Sequence, residues 1–290
     1  MRVDAAELTL LTDTLRKTMA ATPGAELYPA LCALGWHELL TGAETADIAV
    51  PLVFRLLGET GTHAPLINDV VAHAAGRPFG ETPPLPFTGG SRVRWNTEAV
   101  PGGDLLDPEL PLARIGGTAE PPLAVELPLA PARRALGWWL TGSSRAMLAL
   151  ARTHALERQQ FGRPVAGFQA IRHRLAETLV AIEGAEATLA LTPGDAHHPA
   201  HPDIQRSHPE ESDALGALLA KAAAGRAALL TARHCQQVLG GIGFTAEHEF
   251  HRHYRRVLVL DGLLGSAREL TREAGATLRD LGYAPRLAHL

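Results

Sequence analysis

The stretch ERQQFGRPVAGFQAIRHRLAE, residues 157–177, joins two strongly helical segments, and its reading decides how the rest of the chain is understood. A plain helical hairpin needs a Gly and a Pro at such a joint. It has no need of Arg158, Gln159, Gln160, Phe161 and Gly162 together, or of a second Phe-Gln pair at Phe168-Gln169 immediately after. Outward from this joint the chain reads as helix on both sides. One helix is expected over about Ala135 to Gln160 and the next over about Phe168 to Leu191. TPGDAHHPAHPDIQRSHPEE then interrupts, before helices from about Ser212 to Leu239 and from about Glu247 to Leu281. Four long helices with short joints predict an antiparallel four-helix bundle.

The N-terminal part is also helical. Leu8, Leu11, Leu15 and Met19 recur at helical spacing up to Ala21. Further helices are expected over Leu27–Leu40, Thr45–Leu57 and Pro65–Ala75, with Gly58 and Gly61 breaking the chain between the last two. Between Gly80 and Pro131 the composition changes to closely spaced prolines and paired glycines at 89–90, 102–103 and 116–117. Alternation in SRVRWNTEAV and LAVELPLA predicts short strands there. The expected fold class is mainly α: an N-terminal helical bundle over 1–78, an abbreviated β subdomain over 79–132 and the four-helix bundle over 133–290.

The chain has 290 residues, a formal net charge of −4 and 46% hydrophobic residues, enough for a substantial core. No long basic block supports a nucleic-acid or membrane-surface role. The first residues lack a signal-peptide profile, and no apolar run is read as a membrane span. With two distant cysteines, Cys32 and Cys235, both read as core residues, the expected location is cytoplasmic.

A second unusual joint is CQQVLGGIGFTAEHEFHRHYRR, residues 235–256. Its glycines allow close approach of backbone to a ligand, and the helix that follows adds donors suited to a phosphate. Alone, Gly240-Gly241-Ile242-Gly243 is better read as a tight helix–helix turn. Taken together, the two joints resemble the C-terminal domain of the acyl-CoA dehydrogenase family of flavoproteins. The likeness is carried by Glu157 to Pro164, by Phe168-Gln169-Ala170 with His173 to Ala176, by Gln237 to Thr245 and by Glu247-His248. GETGTHAPLINDVV, residues 58–71, more loosely resembles the end of that family's N-terminal domain.

The resemblance implies FAD at these positions, gripped largely in trans at its adenine-dinucleotide portion. Arg158 then suits a pyrophosphate by bidentate contact. Phe161 and Phe168 offer flat packing surface, and Gln160, Gln169 and Gln237 offer amides that donate and accept. Gly240 and Gly241 permit close approach. Ser266 stands where the family has a flavin-binding Thr, and Arg268 where it has a Gln.

The resemblance also exposes what is missing. The family removes an α-proton from an acyl-CoA with a carboxylate base while a hydride leaves for the flavin. Alignment on Gly240 and Arg256 puts Leu264 at the usual base position, and the alternative position falls near Ala132. Neither is a carboxylate. Asp261, one helical turn before Leu264, is the remaining candidate, against a structural reading in which it is solvated or paired with an Arg such as Arg268. No segment matches the family's flavin-ring motif, and Trp95 reads as a core or rim residue. The pattern is that of the non-catalytic chain of a heterotetrameric (α2β2) acyl-CoA dehydrogenase. The implied partners are a homologous full-length subunit, an acyl-CoA held mainly by that subunit, and an acceptor such as an electron-transfer flavoprotein. A self-contained homo-oligomeric enzyme using Asp261 and a flavin-free scaffold are the alternatives. No metal site is expected: His197, His198, His201 and His208 crowd a Pro-punctuated loop without ligand geometry. Arg252, Arg255 and Arg256, interleaved with His248, His251 and His253, read either as phosphate neighbours or as a helix surface.

Overall fold

The computed structural model describes residues 4–97, 105–115, 127–191 and 209–282. Helix α1 (Ala5–Ala21) starts at Asp4, whose carboxylate and Glu7 form a reciprocal capping box. The helix expected over Leu27–Leu40 is in fact two, α2 (Leu27–Ala33) and α3 (Trp36–Thr41). Gly35 sits between them at φ 89°, a left-handed conformation that no helix continues through. Helices α4 (Ala43–Thr60) and α5 (Leu66–Ala74) complete this part.

Four short strands follow: β1 (Leu85–Phe87), β2 (Ser91–Trp95), β3 (Leu105–Asp107) and β4 (Leu110–Arg114). They form one antiparallel sheet in the order β1-β2-β4-β3. Val93, Trp95, Leu110 and Leu112 turn inward and are buried. The strand expected in LAVELPLA falls mostly outside the described residues.

Helix α6 (Ala130–Glu157) is the spine, 28 residues and thus about 42 Å long. It packs on α7 (Gln169–Leu189) and α8 (Pro209–Leu239). The last expected helix is again two, α9 (Phe250–Gly262) and α10 (Ala267–Leu281), parted by Leu264 at φ 59° and Gly265 at φ 100°. The crossing of α4 and α6 is made by glycines: a Cβ on Gly58 or on Gly142 would collide with backbone of the opposite helix. Beside it Trp36, Phe54, Trp139 and Trp95 form a chain of ring contacts at 6.1, 5.9 and 5.5 Å, which ties the N-terminal helices, α6 and the sheet together. Trp95 is therefore a core residue, and of the adjacent pair Trp138-Trp139 it is Trp139 that lies at this junction.

The segment Asp213–Phe244 is long and apolar enough to cross a membrane by length and composition. Its most apolar window is 61% buried, against α6, α7 and α10, which is what a core helix of a bundle requires.

Candidate functional site

Helices α6 and α8 run parallel and pack directly on each other, and α7 lies antiparallel against both, so the C-terminal ends of α6 and α8 meet the start of α7 at one end of the bundle. Thr178 Oγ1 lies 2.9 Å from His234 Nδ1, fixing the register of α7 on α8 there. Burial lowers the His154 pKa near the end of α6, with neighbouring His248 and Arg158 adding to it, so the segment after α8 lies beside the end of α6.

After Glu157 the chain makes a miniature hairpin, β5 (Gln159–Gln160) paired with β6 (Arg163–Pro164). The Val165 N–H donates to the Arg158 carbonyl at 2.8 Å and closes it. Phe161 and Gly162, the two turn residues, have φ of 54° and 77°. Two-residue hairpin turns of this hand require positive φ at both positions, which glycine accepts freely and phenylalanine does not. Holding Phe161 there costs about 1–2 kcal/mol, yet the residue is 90% exposed. It meets Phe168 edge-on at 6.1 Å, and the Arg163 guanidinium lies 4.1 Å above the Phe168 ring. With its amide oxygen turned inward, Gln160 accepts from Arg158 Nη2 at 2.8 Å and Nε at 3.3 Å. Gln160 thereby orients the guanidinium, whose Nη1 side is left for another acceptor.

At the end of α8, Gly240 (φ 63°) opens a 3-10 turn over Gly240–Phe244. Nothing stands within 4 Å of a Cβ built on Gly240 or Gly241, so this backbone is open to an approaching group. Gly243 is different: a Cβ there would stand 3.0 Å from the Gln236 carbonyl oxygen and Leu239 Cβ, so it is a packing glycine. Gln169 and Gln237 are exposed, as are Ile242 (45%) and Phe244 (69%).

The charges sort by position. Arg134 and Arg145, on the earlier part of α6, pair with Asp213 and with Glu183 and Glu186. Among the described residues, Arg158, Arg163, Arg172 and Arg233, at the hairpin end, make no ion pair. Arg252, Arg255 and Arg256 do not join them. They turn toward Asp107 and Glu109 of the β3–β4 hairpin, and the buried Arg256 also donates to the carbonyls of Gly61 (2.7 Å) and Thr62 (3.2 Å). This is a structural joint between the sheet, the α4–α5 loop and α9. Burial and neighbouring Arg256 push both His63 and His253 down to about 4.

Eight of the ten residues expected to hold a dinucleotide, Arg158, Gln160, Phe161, Phe168, Gln169, Gln237, Gly240 and Gly241, are brought to this one end. Ser266 and Arg268 are not. They open α10 beside Lys221, which precedes Gln237 by 16 residues on α8 and so lies about 24 Å from it. Leu264 is fully buried: its N–H donates to the Pro86 carbonyl at 2.9 Å, and its carbonyl accepts from Arg133 Nε at 3.2 Å. Asp261 is 8% exposed and does not pair with Arg268. Its Oδ1 accepts from the Ala267 N–H at 3.1 Å. Burial raises its pKa, opposed by the neighbouring Lys221 ammonium and the Ala267 bond. Its carboxylate fills the space over Gly225, where even a methyl group would collide with it.

Sequence reasoning passed over Lys221 and Glu269. Lys221 is fully buried, and its ammonium donates to the carbonyls of Asp261 and Gly265. Its signal was available, since a single Lys in LLAKAAAGRAALL has no polar helix face to occupy. The histidines at 197, 198, 201 and 208 lie outside the described residues, and among the described residues no cluster of three metal-ligating side chains occurs.

A model of the acyl-CoA dehydrogenase C-terminal domain matches residues 123–276. Acyl-CoA dehydrogenase IpdE2 of Mycobacterium tuberculosis is 32% identical over 186 residues, 64% of this chain and 54% of that protein. The chain thus spans about half the length of this curated relative. Two solved structures share its fold nearly end to end. One is the Tcur3481-Tcur3483 steroid ACAD, with TM-score 0.67, 19% identity and coverage of 96% of this chain and 99% of the other. The second is the ChsE4-ChsE5 complex from Mycobacterium tuberculosis, with TM-score 0.61, 18% identity and coverage of 97% and 98%.

Proposed function

The chain belongs to the acyl-CoA dehydrogenase family, and from that premise we propose that it is the non-catalytic subunit of a hetero-oligomeric acyl-CoA dehydrogenase, completing the FAD site of a homologous partner. The observation that carries this reading is the end of the bundle. Eight side chains and backbone positions suited to a dinucleotide come from the elements that meet there, around an aromatic side chain held outward in a strained turn and guanidinium groups without carboxylate partners among the described residues. An aromatic residue 90% exposed at a conformational cost fits a surface made to be covered.

In this reading Arg158, steadied by Gln160, meets the pyrophosphate. Phe161 and Phe168 pack on the adenosine portion, Gln169 and Gln237 supply polar contacts, and the open backbone at Gly240-Gly241 comes close to the phosphates. Bound FAD supplies the hydride acceptor for oxidation of an acyl-CoA to its 2,3-enoyl-CoA. The proton must be taken by a carboxylate of the partner, because Leu264 and Ala132 carry none and Asp261 is committed to the Ala267 N–H. The partner also holds the acyl-CoA. The absence of a base, and not the presence of a new one, distinguishes this chain from a self-sufficient enzyme.

The test is Arg158→Ala in the complex co-expressed with the partner subunit. The two subunits should still co-purify, with flavin content reduced several-fold. Unchanged flavin content in an intact complex would refute the clamp and leave a flavin-free scaffold.

A further inference from the structure

Helix α7 carries apolar residues on two sides, and the chain covers one of them. Thr178, Ile182, Ala185 and Leu189 are buried where α7 packs on α6 and α8. On a helix of 3.6 residues per turn, Arg172, Ala176, Leu179, Val180, Glu183 and Ala187 share an arc of about 100°, turned well away from that face. All six are exposed, Val180 by 71% and Leu179 by 41%. Arg172, Ala176, Leu179 and Glu183 follow the alternating four- and three-residue spacing of a coiled-coil seam. A helix with two apolar faces needs two neighbours.

The charges on this stripe identify the second neighbour. At its start, Arg172 makes no ion pair among the described residues. Toward its end, Arg145 Nη2 lies 2.6 Å from Glu183 and 2.5 Å from Glu186. One guanidinium there answers two carboxylates, so a negative charge is left in excess. A stripe with a spare cation at one end and a spare anion at the other is complementary to itself when reversed. In an antiparallel pair of α7 helices, a single register sets Arg172 opposite Glu183 of the second copy. The same register sets Ala176 opposite Leu179, a small residue against a large one. Both contacts recur across the two-fold axis, as an isologous interface requires.

We propose that the outward face of α7 docks on the same face of a second copy of this chain, antiparallel about a two-fold axis, and so joins two heterodimers into one α2β2 assembly. The proposal rests on the hetero-oligomer reading, because the seam alone is small. About 27 Å long and about 10 Å wide, it covers roughly 270 Å² of each copy, against about 800 Å² per partner in a stable interface. The homologous subunits supply the remainder.

The experiment measures the mass of the co-expressed complex by native mass spectrometry and sedimentation, together with its flavin content. The unmodified complex should contain two copies of each subunit. Val180→Glu puts a carboxylate into the seam at a position exposed in the single chain, and should halve the mass while flavin per complex stays unchanged. Retention of the two-plus-two mass would overturn the proposal, as would an unmodified complex that is already one-plus-one. Loss of the homologous subunit from this chain would show that the stripe docks that subunit, and would overturn it too. A second arm uses charge. Arg172→Glu and Glu183→Arg should each halve the mass, and both together in the same chain should restore it, because each copy then presents the reversed pair to the other. A double variant that stays halved would refute pairing between copies. Halving by Val180→Glu in a complex that never holds flavin would uphold the seam and sink the clamp.

Discussion

The α4–α6 crossing gives a sharp test of how the N-terminal helices are held to the bundle. Gly142→Ala adds one methyl group. At ideal geometry that carbon stands 2.9 Å from the Arg55 carbonyl carbon, 3.0 Å from its Cα and closer still to its oxygen. These are backbone atoms of α4, and α4 is itself pressed on α6 at Gly58, so neither helix can yield locally. Overpacking of a core costs about 1–3 kcal/mol, and the upper end applies where the obstacle is backbone. Against this, Gly→Ala within a helix gains about 1 kcal/mol of propensity. The net expectation is a loss of about 2 kcal/mol, or a fall of about 4–8 °C in thermal midpoint for a domain of this size. Gly184→Ala in α7 and Gly275→Ala in α10 are the controls, since nothing stands within 4 Å of either added methyl group. They should gain up to about 1 kcal/mol and raise the midpoint by a few degrees. Circular dichroism melts of the three variants, with urea titrations for free energies, provide the comparison. If Gly142→Ala matches the controls, the two helices are not in backbone contact and the argument is wrong.

Other expectations are equally open to measurement. His63 and His253 are held neutral, at about 4, while the unfolded chain takes up their protons near 6.5. Stability should therefore be full above pH 6.5, fall as pH drops from 6.5 toward 4, and level off below. His253→Gln should flatten that slope in pH-dependent urea unfolding, and an unchanged slope would show that His253 does not contribute. Phe161→Gly removes the strained φ and should leave the thermal midpoint unchanged or slightly raised, while the co-expressed complex retains less flavin. A fall in both would mean that Phe161 supports the fold. Arg256→Met leaves Asp107 buried without its cation and should cost about 3–5 kcal/mol, readable as a lower urea midpoint; a neutral result would remove Arg256 from the joint.

Much of this was legible in the sequence where the cause is local. The Leu-rich periodicity located α4, α6, α7 and α8 to within a few residues, and the Pro/Gly change marked the sheet. The crowd at 157–177 marks a joint that is more than a plain connection, because Phe161-Gly162 closes a hairpin that holds Phe161 outward. What failed depended on single left-handed residues or on distant partners. Gly35 and Leu264 each break a helix whose periodicity continues across the gap, so pattern alone cannot detect the break. The arginines after the glycine turn stay open between phosphate neighbours and a helix surface because Asp107 and Glu109, about 147 residues away, cannot be paired with them from sequence. Ser266 and Arg268 are read as flavin-binding from the resemblance alone, and only the length of the bundle discloses that they stand far from Arg158.

The most direct test of the central claim is the visible absorption spectrum of this chain purified alone and after co-expression with a homologous full-length acyl-CoA dehydrogenase subunit. Flavin bands only in the co-purified complex, together with acyl-CoA oxidation, are predicted. A yellow protein that oxidises an acyl-CoA when purified alone would contradict the account.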